Sequence, residues 1–243
     1  GGGTYEILTK NHDLITQRTG VSIDVVKALV RKHREGIPAH LTTEDPDDIL
    51  KEPSIDVVVE TMGGIEPATA FMLQAMENGK HVVTANKAAV AANYEKLQAA
   101  AAKNQVQFLF EASVGGGIPV LTSIQNALQG NAFLEVMGIV NGTTNYILTK
   151  MTKDHMEFAD ALALATELGY AEADPTADVE GYDAARKVAI MASIAFNSRV
   201  TFSDVYTQGI TKITAADIAY ATEMGMVIKL LGVARNTDTG IEV

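Results

Sequence analysis

The chain of 243 residues contains no cysteine and no tryptophan, and it has few histidines and few basic residues. Without cysteine, it has no disulfide framework, no thiolate metal site and no cysteine nucleophile. Its five histidines are scattered, so no pair has the spacing of a metal-ligand motif. The 19 lysines and arginines are outnumbered by 30 acidic residues, which gives a net charge of −11. This charge argues against binding to nucleic acid or to anionic membranes.

Long hydrophobic runs are also absent. No apolar stretch reaches the length of a transmembrane helix, and no signal peptide precedes the first predicted element. Hydrophobic residues make up 47% of the chain, which is typical of a globular protein with one large or two modest domains. We therefore expect a protein of the cytoplasm or of an organelle stroma. Because the chain opens on three glycines without a preceding strand and stops within a predicted strand, we expect the natural protein to be longer.

The first half of the sequence alternates between helical and strand patterns. The patterns predict helices at residues 4–16, 45–50, 67–79 and 88–103. They predict strands at residues 23–30, 55–60, 81–84 and 106–110. Such alternation predicts an α/β fold with a parallel, Rossmann-like sheet, whose post-strand loops gather at one ligand-binding edge. We therefore predict a nucleotide-binding domain over residues 1–112.

The pattern changes after Glu111, where a glycine-rich break follows. Helices are predicted at residues 119–128, 144–151, 156–168, 181–196 and 214–224. Strands are predicted at residues 133–140 and 227–235. We expect an α+β substrate-binding and dimerisation domain over residues 113–243, with helices rich in Ala, Ile and Met offering apolar surface for a two-fold dimer.

The most informative segment runs from Gly169 to Lys187 and opens with a Gly-Tyr turn at Tyr170. Asp183 and Lys187 are four residues apart, so a helix places them on one face. A lysine among acids suits a small polar substrate that carries an ammonium group. A solvated acidic loop before an amphipathic helix explains the same pattern, and the segment alone leaves both interpretations open. Its five carboxylates belong to Glu172, Asp174, Asp178, Glu180 and Asp183.

Two features of the first half suit a dinucleotide. Gly1, Gly2 and Gly3 open a helix, where glycines let a pyrophosphate approach the backbone N–H groups. Arg31 ends the second predicted element, where an NAD site usually has an acid, and positive charge there favours the 2′-phosphate of NADP. Three glycines are also common as a tag remnant, and residues 31–34 could equally be a solvated basic turn.

Polar residues follow three further strands. Lys87 starts a helix, where a cation opposes the helix dipole, and this conflict favours function over a structural lysine. Glu111 and the free carbonyls of the glycine-rich turn could hold a monovalent cation, although the residues alone favour an ordinary turn. Residues 141–145 join a strand to a helix through an Asn-Gly turn and an N-cap threonine, and capping alone accounts for them.

Taken together, these segments resemble the homoserine dehydrogenase family over nearly the whole chain. The resemblance lies in four motifs, in order and spacing: Val83-Thr-Ala-Asn-Lys-Ala88, Phe110-Glu-Ala-Ser-Val-Gly-Gly-Gly-Ile-Pro119, Asn141-Gly-Thr-Thr-Asn-Tyr-Ile-Leu148 and Gly169-Tyr-Ala-Glu-Ala-Asp-Pro-Thr-Ala-Asp-Val-Glu-Gly-Tyr-Asp-Ala-Ala-Arg-Lys187. It implies an NAD(P)-dependent oxidoreductase that acts on a CH–OH group. That enzyme interconverts L-homoserine and L-aspartate 4-semialdehyde on the route to threonine and methionine.

The resemblance also implies a role for each matching residue. Lys187 would be the catalytic lysine, with Asp183 in the same pocket, and Lys87 would lie between cofactor and substrate. Glu172 would bind the substrate amino group, with Asp178, Thr143 and Tyr170 as further substrate contacts. The implied cofactor residues are Gly1, Gly3, Arg31, Thr61 and Lys87. A sodium ion would be held by Glu111 and by the carbonyls of Val114, Gly116 and Ile118.

Two departures from the family pattern leave an alternative open. Only Gly1 to Gly3 stand where the family has its glycine fingerprint and preceding strand, and the family's C-terminal return to the nucleotide domain is absent. The chain could therefore be a non-catalytic NADP-binding or assembly module. A phosphorylating semialdehyde dehydrogenase is excluded, because its chemistry needs a cysteine. We expect a homodimer or homotetramer with a small-molecule substrate, in which Lys87 and Lys187 face one cleft.

Overall fold

A computed structural model describes residues 1–32 and 35–243. It forms two compact units, Gly1–Ala112 and Ser113–Val243. Of the basic run predicted to follow the second element, Arg31 and Lys32 are described, whereas His33 and Arg34 lie outside the described residues. No helix within the described ranges is long and apolar enough to cross a membrane.

The first unit is built from helices and short parallel strands. Its helices are α1 (Gly2–Lys10), α2 (His12–Thr19), α3 (Asp47–Leu50), α4 (Ala68–Glu77) and α5 (Lys87–Asn104). Its strands are β1 (Ala28–Leu29), β2 (Thr42–Thr43), β3 (Val57–Glu60), β4 (His81–Thr84) and β5 (Phe108–Leu109). Short 3₁₀ turns occupy Ala39–Leu41 and Glu111–Ser113, the second of which extends into the other unit.

The sheet of the first unit is parallel, as the alternation of helices and strands predicts. Strands β3, β4 and β5 pair in that order, with Val59 opposite Val83 and Val83 opposite Leu109. Strands β1 and β2 form a separate parallel pair. The core is apolar and comes largely from α4, β4 and α5, with fully buried side chains at Met72, Met76, Val82, Val90 and Leu97.

Two predicted elements at the start of the chain differ in the structure. The helix predicted over residues 4–16 is two helices, because Asn11 leaves helical geometry at φ −106° and ψ 17°. The strand predicted over residues 23–30 is reduced to β1, and Ile23 and Val26 are exposed. β-Branched side chains favour a strand only where neighbouring residues cover them. The apolar run therefore predicted a longer strand than the structure has.

The second unit combines helices with an antiparallel sheet. Its helices are α6 (Val120–Thr122), α7 (Gly142–Lys153), α8 (Phe158–Glu167), α9 (Thr176–Val179), α10 (Tyr182–Ala195) and α11 (Ala215–Glu223). Its strands are β6 (Glu135–Gly138), β7 (Gly232–Thr237) and β8 (Gly240–Glu242), paired in the order β6-β7-β8. A π-helical turn at Ser123–Ala127 continues α6, and a 3₁₀ turn lies at Phe202–Asp204.

The helices of the second unit bury their apolar side chains within the unit. Ile147, Leu148 and Met151 of α7 pack in one cluster with Ala161 and Ala165 of α8. In α10, the large side chains of Ile190 and Met191 are buried as well. The sequence predicted that these helices offer apolar surface for a dimer; the side chains named here are used inside the unit, and the dimer surface stays a prediction.

Three elements in this unit also depart from the prediction. The helix predicted at 119–128 has a single α turn before it widens into the π-helical turn. The strand predicted at 227–235 begins only at Gly232. The sequence did not predict α9, a single turn between acidic residues. Short elements such as these depend on tertiary contacts rather than on local pattern.

Candidate active site

Lys187 lies on α10 beside buried acidic and carbonyl oxygens. Gly181 precedes this helix in the left-handed region at φ 83°, a conformation that glycine adopts without strain. One turn apart on the helix, Lys187 Nζ lies 2.6 Å from Asp183 Oδ2, and their side chains are 17% and 4% exposed. Lys187 Nζ also donates to the carbonyl of Val140 at 2.8 Å. Among the described residues, its third N–H has no acceptor and is available to a ligand.

Asn141 connects the buried Asp183 with the partly exposed Asp178. Its side-chain Nδ2 donates to Asp178 Oδ1 at 2.7 Å and to Asp183 Oδ2 at 2.8 Å. It is also the N-cap of α7, because its Oδ1 accepts from Thr144 N at 2.8 Å. The sequence predicted that a threonine caps this helix, and that prediction is wrong because the cap is Asn141. The structure thus brings Asp178, Asp183 and Lys187 together, as the sequence predicted for one pocket.

The remaining predicted substrate residues lie around the turn that precedes α9. Thr143 Oγ1 donates to the carbonyl of Tyr170 at 2.7 Å, and the Tyr170 ring stacks on Tyr146 with centroids 4.5 Å apart. These contacts tie the start of α7 to the turn. Glu172 is exposed, and its carboxylate has no hydrogen-bond partner within residues 1–32 and 35–243. It is therefore open to a cationic ligand.

Asp174 has a structural task in the same turn. Its carboxylate accepts from the backbone N–H of Thr176, the first residue of α9. Hydrogen bonds from Thr176 lower the pKa of Asp174 below its usual range. The acidic segment thus contains a residue that shapes the turn as well as residues that face Lys187.

In the first unit, two predicted cofactor residues are adjacent. Gly1 is the N-cap of α1, and a Cβ built on it would lie 3.3 Å from Thr61 Oγ1. The backbone of Gly1 therefore lies close to the Thr61 hydroxyl in the loop after β3. The unpaired N–H groups that begin α1 are next to it. Gly3 lies in the first turn of the same helix, with no atom near its Cβ position. Arg31 is exposed just after β1.

Lys87 begins α5 next to a buried polar network. Asn86 caps the helix, and its side chain accepts from Ala89 N while donating to the carbonyl of Gly64 at 2.6 Å. Glu60, only 5% exposed, accepts from Thr84 Oγ1 at 2.5 Å and from Met62 N at 2.6 Å. The carboxylate of Glu60 therefore holds the loops after β3 and β4 together, and the second of these carries Lys87.

The predicted sodium ligands lie in one short segment. Glu111 begins a 3₁₀ turn, and Gly115 and Gly116 follow with φ 82° and 60°. The carbonyl of Ile118 accepts from Val120 N at 2.8 Å, so one of the three predicted carbonyls already has a partner. Across the described residues there is no cluster of three or more His, Cys, Asp or Glu side chains suited to a metal ion. A cation in this segment would therefore depend on one carboxylate and on carbonyl oxygens.

Two residues of these networks were not predicted from sequence. Asn141 was explained as part of a turn, and Glu60 as the last residue of a strand. One signal was available for Glu60, since an acid ends a predicted strand that is otherwise rich in valine. No local signal distinguishes a bridging amide from a capping amide.

Family models match both units. A model described as homoserine dehydrogenase matches residues 119–243. A second model, described as homoserine dehydrogenase, NAD binding domain, matches residues 1–111.

Individual relatives match the chain along its whole length. It is 47% identical over 245 residues to a homoserine dehydrogenase of Pseudomonas aeruginosa, covering 100% of this chain and 56% of the relative. It is 52% identical over 241 residues to one of Mycobacterium tuberculosis, covering 98% and 55%. The crystal structure of a homoserine dehydrogenase from Thiobacillus denitrificans superposes with a TM-score of 0.93 at 46% identity, covering 99% and 57%. The chain therefore spans about half the length of the relatives it matches.

Proposed function

Because the chain belongs to the homoserine dehydrogenase family, we propose that the whole protein interconverts L-homoserine and L-aspartate 4-semialdehyde with a nicotinamide cofactor. The family and the fold class predicted from the four motifs are confirmed, and the NAD-binding domain of the first unit supports a nicotinamide nucleotide. The activity of the whole protein is the proposal. The observation that carries it is the group formed by Lys187, Asp183, Asn141 and Asp178.

In this proposal Lys187 acts on the oxygen of the reacting carbon. A nicotinamide cofactor, when bound, accepts the hydride from the alcohol carbon or returns it to the aldehyde carbon. The open N–H of the Lys187 ammonium hydrogen-bonds to the oxygen, stabilises negative charge that develops there and donates a proton in the direction of reduction. Asp183 and the Val140 carbonyl hold the ammonium by its other donors, so that it keeps one direction.

The substrate amino group is assigned to the acidic turn. Glu172 offers an exposed carboxylate without a protein partner in the described ranges. A charge-assisted hydrogen bond to an ammonium group contributes about 1.5–3 kcal/mol. Thr143 and Tyr170, tied to each other at the same turn, are proposed as further substrate contacts, with Asp178 behind them.

Residues of the first unit are assigned to the cofactor. Gly1, Gly3 and Thr61 suit a pyrophosphate, because the start of α1 combines unpaired N–H groups with a site free of side chains. Lys87 supplies positive charge just after β4, and it is assigned both to cofactor binding and to catalysis. Arg31 carries the preference for NADP over NAD. In domain terms, residues 1–112 bind the nucleotide and residues 113–243 bind the substrate and dimerise.

A sodium ion is proposed in the segment that begins at Glu111. One carboxylate with the carbonyls of Val114, Gly116 and Ile118 forms an all-oxygen ligand set, which hard cations prefer. The ion would neutralise Glu111 and stiffen the glycine-rich turn. Its test is the melting temperature of the whole protein in NaCl and in an equal concentration of tetramethylammonium chloride. A sodium-specific increase that Glu111→Ala abolishes supports the site, and equal curves contradict it.

The activity is tested by measuring homoserine-dependent reduction of NADP and NAD. The whole protein is expected to reduce NADP in the presence of L-homoserine and to oxidise NADPH in the presence of L-aspartate 4-semialdehyde. Residues 1–243 alone form the second arm. An active whole protein with an inactive 1–243 chain assigns the chain to a non-catalytic binding or assembly module. A whole protein inactive with both cofactors contradicts the proposal. Light scattering on the same sample tests the proposed homodimer or homotetramer.

A further inference from the structure

The side chain of Asn141 uses its entire hydrogen-bonding capacity. A carboxamide has two N–H donors and an oxygen with two lone pairs. Both donors go to carboxylates, Asp178 Oδ1 at 2.7 Å and Asp183 Oδ2 at 2.8 Å. The oxygen accepts from the backbone N–H of Thr144 at 2.8 Å and from its hydroxyl at 2.9 Å. Because Asn141 is 4% exposed, water does not compete for these bonds.

This arrangement fixes which way the carboxamide points. Turning it by 180° would set its oxygen against two carboxylates and its nitrogen against two donors. The carboxylates of Asp178 and Asp183 also meet within hydrogen-bonding distance of a single nitrogen atom. Two carboxylates this close to each other, one of them buried, repel unless a donor lies between them. The Asn141 amide is that donor.

The same contacts reach Lys187. Asp183 Oδ2 accepts from Asn141 and pairs with Lys187 Nζ at 2.6 Å. Lys187 Nζ donates in turn to the carbonyl of Val140, the residue before Asn141. Residues 140 and 141 therefore hold both members of the ion pair, one through the backbone and one through the side chain.

We propose that Asn141 is a positioning residue for the reaction: it holds the carboxylates of Asp178 and Asp183 side by side and, through Asp183, sets the direction of Lys187. This inference rests on the proposed function of Lys187. Asn141 need not touch the substrate. Its effect is to hold the two carboxylates side by side, which keeps Lys187 aimed in one direction.

Capping of α7 is the competing explanation, and two substitutions separate it from the proposal. Asn141→Asp keeps a side chain that caps well but replaces the two donors by a third carboxylate. Asn141→Ser keeps a capping hydroxyl and is neutral. Thr214→Ala is the control for capping alone, because Thr214 caps α11 through Asp217 N and has no contact with the four residues.

Steady-state kinetics on the whole protein are expected to give a different kcat/KM for homoserine in each of the Asn141 variants and in the control. Asn141→Asp should lower kcat/KM for homoserine by about 100-fold and Asn141→Ser by about tenfold, since small misplacements of a reacting group have effects of this size. In Asn141→Asp the pH profile should also move to higher pH, because a third negative charge beside Asp178, Asp183 and Lys187 favours their protonated forms. Thr214→Ala should leave kcat/KM and the pH profile unchanged.

Wild-type kcat/KM and an unshifted profile in Asn141→Asp, with Lys187→Ala inactive, would overturn this inference and leave the proposed function standing. An inactive wild-type protein would count against the function instead. In that case a crystal structure of Asn141→Ser still decides the inference. We expect the two carboxylates to move apart and Lys187 Nζ to leave the Val140 carbonyl, and unchanged positions would refute the positioning role.

Discussion

Lys187 and Asp183 form an ion pair that is largely removed from solvent. Taking two charges out of water has a desolvation cost on the order of several kcal/mol per ion, which the attraction between the charges must offset. Here each partner has further polar neighbours, the Val140 carbonyl for Lys187 and the Asn141 amide for Asp183. Polar groups of the protein thus replace water around both charges of the pair. The one remaining N–H of Lys187 therefore has a defined direction.

Glu172→Gln is expected to weaken homoserine binding selectively. The substitution keeps the size of an exposed side chain but removes the charge that faces the substrate ammonium, so KM for homoserine should rise by at least about tenfold. KM for NADP should change little. Glu167→Gln, an exposed acid at the end of α8, is the control. Equal increases in both KM values would point to a general loss of structure instead.

Arg31→Ala is expected to raise KM for NADP and to leave KM for NAD almost unchanged. An exposed guanidinium after β1 can pair with a 2′-phosphate, which NAD lacks. Arg18→Ala, an exposed arginine at the end of α2, controls for the loss of one positive charge. The assignment fails if the wild-type protein works better with NAD, or if both variants affect NADP equally.

At the residue scale, charged side chains were easier to predict than the groups that hold them. The spacing of Asp183 and Lys187 was sufficient to predict that they share one face of a helix, where the structure pairs them. The amide of Asn141 was not predicted as a bridge, because its partners lie 37 and 42 residues away. A local pattern carries no information about contacts of that range.

Helix and strand positions follow the hydrophobic pattern wherever an element is long and covered. Helix α5 and strand β4 lie where the sequence predicts them, and α5 begins at the capping Asn86. The predictions failed where length or cover was missing, as at the single-turn α9 and at β1. The turn at Glu180 and Gly181 joins the unpredicted α9, which carries Asp178, to α10, which carries Asp183. Part of the candidate site therefore lies on an element that the sequence did not predict.

Gly209→Ala is expected to disturb this turn. A Cβ at Gly209 would overlap Val179 O and the backbone of Glu180, neither of which can rotate away. Overpacking against backbone destabilises by about 1–3 kcal/mol, and here it should also displace α9 and lower kcat/KM for homoserine. Gly130→Ala is the matched control, because no atom lies within 4 Å of its Cβ position. Urea denaturation measures the first effect; equal midpoints for the two variants would contradict it.

The capping box of α11 is expected to make the stability of the folded protein depend on pH in the acidic range. Hydrogen bonds from the Thr214 hydroxyl and backbone N–H lower the pKa of Asp217 below its usual range. The stabilisation is therefore complete at neutral pH, above the unfolded pKa of about 4, and is lost as pH falls through the lower folded pKa.

Asp217→Asn should accordingly lower the urea midpoint at pH 7 and reduce the decline of that midpoint as the pH falls below about 4. Asp160→Asn, in the first turn of α8 and without a hydrogen bond among the described residues, is the control. A decline in Asp217→Asn as steep as in the wild type would refute the assignment.

At the scale of the whole molecule, two units with different sheets carry different candidate residues. The first unit has parallel sheets and carries Gly1, Thr61 and Lys87, and the second has an antiparallel sheet and carries Asn141 and Lys187. The change of pattern after Glu111 predicted this division of the sequence into two fold types. The sequence did not predict that the helices of the second unit bury their apolar residues, since composition alone does not distinguish a core from an interface.

The turnover of Lys187→Ala in the whole protein decides whether Lys187 acts on the reacting oxygen. We expect this variant to keep its circular dichroism spectrum and cofactor affinity while kcat for homoserine oxidation falls by about 100-fold or more, as for a positioned acid–base group. Lys153→Ala, a lysine at the end of α7, should retain wild-type turnover. A folded Lys187→Ala protein with near wild-type kcat would contradict this role.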